Sequence, residues 1–303
     1  MPTPTHILEG VVVPLVTPMG EPGRPDAALG SAQLEALAAA GVTTLMLLGS
    51  NGEGALIEDA EVGPYVADVV RAWDGAVPGG RILANVSAPG TRAMRARASA
   101  AAEAGADALT VSAPSYFQHR ADEILAHIRA ATEVGLPVVV YDIPRSANEL
   151  TDDVVRGLVA TEGIIGIKDS SGDLDHLMRS IALAAEREDF QVTQGSETQL
   201  VAGLDAGAIG ILPGTGNFAP KPAIDLYAAW RSGNHDRAEK LQRVTTALAA
   251  VHRIRPGVPT VKRILADRLL CPPVVAPPLI ECTEEEQADL EGLLATYAEY
   301  LIA

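Results

Sequence analysis

The sequence predicts a (β/α)8 barrel with a helical appendage at its C-terminus. Three observations carry this expectation. Through roughly the first 230 residues, short apolar β-like runs alternate with longer amphipathic helical stretches. Several of those stretches stop at a glycine (Gly41, Gly105 and Gly135), where a left-handed residue past the helix end costs least. After Leu212 the strand pattern ends and only helical periodicity continues. Eight strands alternating with eight helices fit a closed parallel barrel. An open doubly wound sheet is the alternative, but no GxGxxG follows the first strand.

Taken in order, the strands are expected at Gly10–Val16, Thr44–Leu48, Arg81–Val86, Ala108–Ser112, Pro137–Tyr141, Ile164–Lys168, Gln191–Gln194 and Ala208–Leu212. Helices are expected at Ala27–Ala40, Thr91–Ala104, Ala121–Val134, Thr151–Val159 and Asp173–Arg187. The stretch Glu58–Trp73 also reads as a helix, although Gly63-Pro64 should kink it or shift its start. Beyond the strands come helical patterns at Pro220–Ser232, Asp236–Arg253, Pro259–Arg268 and Thr283–Leu301. The four prolines within Cys271–Pro278 make that stretch an extended connector. Residues 1–232 are therefore expected to form the barrel and 233–303 a small helical domain.

Composition excludes several classes. Of 303 residues, 48% are hydrophobic and 20% charged, as in a well-packed globular protein. A net charge of −16 repels phosphate backbones, so no nucleic-acid partner is expected. No apolar run reaches the ~18 residues a membrane helix needs. The N-terminus lacks the basic and apolar regions of a secretory signal, which points to the cytoplasm. Cys271 and Cys282 make no CxxC pair, and the six histidines fall in no HExxH pattern. No structural metal is expected from that spacing.

Lys168 stands apart. It is the only lysine in the first 220 residues of a chain with four lysines and nineteen arginines, and it closes the apolar run Gly163-Ile164-Ile165-Gly166-Ile167. An arginine cannot lose its proton or form a Schiff base, whereas a lysine desolvated at the end of a strand can attack a ketone. In barrels of this class the reactive groups gather at the C-terminal ends of strands. There the sequence places Gly49-Ser50-Asn51-Gly52-Glu53, Ala113-Pro114-Ser115-Tyr116, Tyr141-Asp142-Ile143-Pro144 and Lys168-Asp169-Ser170-Ser171. Two of the six tyrosines fall at these ends. A tyrosine can move the protons that imine chemistry requires. A Gly-Ser-Asn-Gly turn offers backbone N–H groups and a hydroxyl to a carboxylate. Asp169 and Asp173 read as helix N-terminal charges, and Glu53 as a cap of the turn or one half of a local pair.

With these motifs in place, the chain resembles the dihydrodipicolinate synthase / N-acetylneuraminate lyase family of class I, pyruvate-dependent aldolases. The resemblance runs from Gly10-Val11-Val12-Val13-Pro14-Leu15-Val16-Thr17-Pro18 to the helical C-terminus. It rests on Gly49–Glu53, Tyr141–Pro144, Gly166–Asp173 and Gly210–Gly214 together. It implies Lys168 as the Schiff-base lysine, Tyr141 as general acid and base, and Ser50 with Asn51, beside Gly49, as binders of the 2-oxo carboxylate. Tyr116 matches a family tyrosine that helps relay protons, often across a subunit interface. The resemblance further implies a homo-oligomer, a dimer or tetramer, that needs no metal or organic cofactor.

Three departures from the synthases and one from the N-acetylneuraminate lyases bear on the substrate. Synthases of this family place an arginine two residues after their YNxP motif; here that residue is Ser146, with Arg145 one position early. Their GTTGE loop is GSNGE here, closer to aldolases of 4-hydroxy-2-oxoglutarate or 2-keto-3-deoxy sugar acids. The motif asparagine is Asp142, which strand alternation turns away from the barrel interior, so it is assigned no role. The tyrosine that follows the lysine in N-acetylneuraminate lyases is replaced by Asp169. The expectation is an aldolase or lyase acting on a hydroxylated 2-oxo acid, with Ser146, Ser171, Ser196 and Glu197 around the second substrate and Ile209 also lining the site. A synthase condensing pyruvate with aspartate semialdehyde is the alternative, and a non-catalytic sugar-acid sensor a further one.

Overall fold

The computed structural model describes residues 7–303. Eight parallel strands close into a barrel: β1 (Gly10–Pro14), β2 (Thr44–Leu47), β3 (Arg81–Asn85), β4 (Ala108–Ser112), β5 (Val138–Asp142), β6 (Ile164–Asp169), β7 (Gln191–Gln194) and β8 (Gly210–Ile211). Each strand pairs with its chain neighbour, and β8 closes on β1 through Gly210 beside Gly10 and Ile211 beside Val11. The strand order is sequential right round to closure, with no reversal among the described strands, so the closed barrel stands and the open-sheet alternative falls. The strands are buried on both faces, as parallel strands under a helix layer must be.

The outer helices are α1 (Ser31–Ala39), α2 (Asp59–Ala76), α3 (Thr91–Glu103), α4 (Ala121–Arg129), α5 (Asp152–Val159), α6 (Leu174–Ala184), α7 (Leu200–Asp205) and α8 (Pro220–Arg231). Gly41, Gly105 and Gly135 all take positive φ (92°, 93° and 80°), which terminates their helices as the sequence suggests. The kink expected at Gly63-Pro64 does not break α2. Pro64 lies inside the helix near its start, where losing one N–H costs a single early hydrogen bond. Gly63 serves packing instead: a Cβ there would lie 3.3 Å from the Cβ of Ala100 on α3.

The appendage comprises α9 (His235–Ala249), α10 (Val251–Ile254), α11 (Val258–Ala266) and α12 (Glu284–Leu294). The expected single helix over 236–253 is two helices, and the expected helix at the C-terminal end breaks into 3-10 geometry after Leu294. Its apolar cluster takes Val258, Val261, Ile264, Leu265 and Leu290 from the appendage, and Val16, Phe218 and Ala219 from the barrel. No helix among the described residues is long and apolar enough to cross a membrane.

Candidate active site

β5 and β6 run in register, with Tyr141 beside Lys168 and Asp142 beside Asp169. Because side chains alternate along a strand, the first pair faces the barrel interior and the second faces the helices. Lys168 Nζ lies 3.9 Å from the centre of the Tyr141 ring and 3.6 Å from Met46 Sδ, and both Lys168 and Tyr141 are buried. The Tyr141 hydroxyl is 3.2 Å from Ser50 Oγ. Burial by itself would raise the phenol pKa. The charge of Lys168, the hydrogen bond to Ser50 and the charge of Arg145 outweigh burial and hold it below its ordinary value. This is the electrostatics expected of a phenol that gives up and regains a proton.

Backbone geometry fixes these groups. Gly195 ends β7 where a Cβ would sit 2.2 Å from Ser170 Oγ and 3.4 Å from Lys168 Cε, so glycine keeps the space beside the amine open. The loop carrying Ser50 is flanked by two residues with left-handed φ, Leu48 at 57° and Glu53 at 54°. Such strain persists only where the surroundings enforce it. Asn85 donates to the Leu48 carbonyl at 2.8 Å, and Arg97 donates to the carbonyls of Gly54 and Ile57, each at 2.8 Å. Gly54 admits no substitute, because a Cβ would lie 1.8 Å from the Leu48 carbonyl oxygen.

A cavity of about 530 Å³ opens onto Lys168, and Ser50, Asn51, Ser171, Ser196 and Glu197 are among the residues that line it. A smaller one, about 320 Å³, lies on the other side of Tyr141 and contains Gly49 and Ser146. Ser50 and Tyr141 border both.

The structure corrects four expectations, those for Ser146, Ile209, Asp169 and Glu53. Ser146 does not join the Lys168 cavity; Arg145 does, because the turn after Pro144 directs successive residues to opposite sides. Tyr116, expected to relay protons across a subunit interface, lines neither cavity of the single chain: it is 90% exposed, takes a φ of 75° and meets Phe117 edge-on at 4.9 Å. Ile209 precedes β8 and therefore sits at the opposite, N-terminal end of the barrel, where its carbonyl accepts from the Tyr227 hydroxyl at 3.0 Å. Leu212, just past the other end of β8, lines the cavity instead. Asp169 is no helix charge but a buried strand-end carboxylate accepting from Ser171 N at 2.8 Å, while Asp173 does cap α6. Glu53 pairs far from its turn: its carboxylate meets Lys262 Nζ at 2.5 Å and accepts from Ala276 N at 2.6 Å. Sequence reasoning also missed His252 and the segment after it, which wall the Lys168 cavity from the appendage. Only the fold brings that segment near.

Behind the reactive pair lies a buried cluster. Asp142, assigned no role from sequence, bonds His176 Nε2 at 2.6 Å, and Asp169 approaches the same nitrogen at 3.9 Å. Their ligand atoms lie within 4.8 Å of one another, a donor set that could hold a divalent ion. The hydrogen bond to Asp142 raises the His176 pKa, against burial. A histidine that binds its proton more tightly in the folded than in the unfolded chain adds stability that is complete below the unfolded value, ~6.5, and lost as pH rises through the folded one. Wild-type thermal stability is therefore expected to fall across that interval. In His176→Asn the same slope should flatten, which melting curves from pH 5 to pH 9 would check.

Burial pushes the Cys271 thiol up to about 12 and raises Cys282 as well.

The chain has relatives among known proteins. The family model described as the dihydrodipicolinate synthetase family matches residues 7–297. An uncharacterized DapA-like lyase of Halobacterium salinarum is 32% identical over 290 residues, covering 95% of this chain and 93% of the relative. A 4-hydroxy-tetrahydrodipicolinate synthase of Methanospirillum hungatei is 30% identical over 238 residues, 78% of this chain and 80% of that one. Among solved structures, YagE, a prophage protein of the dihydrodipicolinic acid synthase family from E. coli K12 in complex with pyruvate, superposes with a TM-score of 0.90 at 25% identity. That match covers 96% of this chain and 98% of YagE. The chain belongs to the dihydrodipicolinate synthetase family and is, with its other members, an aldolase-type lyase.

Proposed function

We propose that the chain is a Schiff-base aldolase that releases pyruvate, or a related 2-oxo acid, from a 2-keto-3-deoxy sugar acid or a 4-hydroxy-2-oxo acid. The supporting observation is the buried Lys168 amine against the Tyr141 ring, with the phenol held by Ser50. Lys168 attacks the ketone carbon, water leaves, and the resulting iminium accepts the electron pair released when the C3–C4 bond breaks. Tyr141 takes the proton from the C4 hydroxyl as the aldehyde departs and returns it to C3 of the enamine. Water then hydrolyses the imine, freeing the 2-oxo acid and the lysine. Ser50, Asn51 and the amides beside Gly49 hold the carboxylate. The proposal includes a dimer or tetramer in which Tyr116, exposed in one chain, relays protons at the site of a neighbouring copy.

The test is borohydride reduction in the presence of pyruvate. The peptide carrying Lys168 should gain the mass of a reduced pyruvyl group; an unmodified peptide refutes the imine. One observation favours the synthase reading: Arg145 lines the Lys168 cavity, where it could face a semialdehyde carboxylate. A coupled assay with aspartate semialdehyde separates the two, since efficient condensation by the wild type contradicts the lyase.

A further inference from the structure

The wall of the Lys168 cavity contributed by the appendage is formed by Ala249, His252, Pro256, Gly257 and Val258. Of these side chains only His252 can exchange hydrogen bonds, and it meets Glu197 from the loop after β7. His252 Nε2 and Glu197 Oε2 lie 4.0 Å apart, too far for a direct hydrogen bond. One hydroxyl oxygen fits between them, at ~2.8 Å from each, accepting from Nε2–H and donating to the carboxylate. Glu197 is held for that task. Its Oε1 accepts from Thr215 N at 2.6 Å, and its backbone carbonyl accepts from Gln242 Nε2 at 2.8 Å, leaving Oε2 toward His252. The His252 side chain is mostly buried, and its Nδ1 is enclosed with no hydrogen-bond partner among the described residues. Nε2 is the ring nitrogen turned to Glu197, placed where it can donate to a bound hydroxyl.

We infer that His252 and Glu197 form a subsite for a hydroxyl on the aldehyde half of the substrate, so that the appendage, not the barrel alone, sets specificity. The substrate class this names is a 2-oxo acid whose far half is polyhydroxylated. A carboxylate or phosphate at that point would face the Glu197 charge, and an alkyl tail would leave both polar groups without partners. The inference rests on the Schiff-base reading of Lys168, and its test keeps the two apart.

The experiment runs the aldol reaction in the synthetic direction, with pyruvate and either D-glyceraldehyde or propanal, which lacks hydroxyls. Wild type should favour glyceraldehyde in kcat/KM. In His252→Leu the glyceraldehyde-to-propanal ratio should fall about tenfold to a hundredfold, mainly through KM for glyceraldehyde, the effect of losing a hydrogen bond to a charged site. His252→Gln, which keeps a donor, should recover part of the ratio. A structural role alone would lower both rates together and leave the ratio in place, and that result overturns the inference. So does a wild type that does not prefer glyceraldehyde, or does not turn it over. Borohydride trapping of wild type with pyruvate is run beside these assays. An adduct with an unmoved ratio refutes only the His252 subsite, whereas no adduct refutes the Lys168 reading itself.

Discussion

Lys168→Ala is expected to abolish turnover of every 2-oxo acid substrate, lowering kcat by about 10⁴-fold or more, as removal of a covalent nucleophile does. No other side chain can take over. The remaining lysines are Lys221, Lys240 and Lys262; the first two are exposed on α8 and α9, and Lys262 is buried against Glu53. Lys168→Arg should be equally inactive, because a guanidinium does not lose its proton to become a nucleophile. Both variants should fold. The amine lies beside the open space left by Gly195, so removing it does not collapse a packed layer. Steady-state pyruvate release, read beside thermal unfolding, checks this. Turnover within tenfold of wild type, in a folded Lys168→Ala protein, would remove the amine from the mechanism.

The second large effect concerns stability. Lys262→Met should cost about 3–5 kcal/mol, the loss seen when one partner of a buried ion pair is deleted and the other charge is left bare. Both partners are enclosed: the Lys262 side chain is 0% exposed and that of Glu53 1%. Lys262 also donates to the Val274 carbonyl at 2.6 Å, so the amine joins the barrel loop, α11 and the proline-rich connector at one point. The consequence reaches the site, because Glu53 ends the loop that presents Ser50 to Tyr141. The single variant should therefore melt several degrees lower and lose activity through misplacement of Ser50. The double variant Glu53→Gln with Lys262→Met should regain part of the stability, since no charge is stranded. Denaturant unfolding of the three proteins decides it, and a loss below about 1 kcal/mol in Lys262→Met contradicts the argument.

The fold was legible because its signals are local. Apolar runs, helix-ending glycines and the loss of strands after Leu212 each need only a window of sequence. The core of the site was legible for a related reason: Lys168, Tyr141 and Ser50 stand at strand ends, where position along the strand sets position in space. What sequence misjudged depends on distant partners. Glu53 lies 209 residues from Lys262, and nothing in the turn announces that bond. The placement of Arg145 and Ser146 turned on one residue of loop geometry, which no spacing rule fixes. Asp142 was read correctly as facing away from the interior, yet its partner His176 is 34 residues on, beyond any periodic pattern. Ile209, expected in the site, precedes a strand of only two residues, and an apolar run over 208–212 does not show which of its members reach the C-terminal end.

The scarcity of lysine has a practical outcome. With Lys262 sealed inside and Lys168 recessed in its cavity, Lys221 and Lys240 are the side-chain amines displayed on the outer surface. They stand on adjoining helices of one flank. Coupling to an amine-reactive resin or dye at those two positions would attach the protein by that flank, and a 2-oxo acid held as an imine during the coupling would shield the Lys168 amine from the reagent.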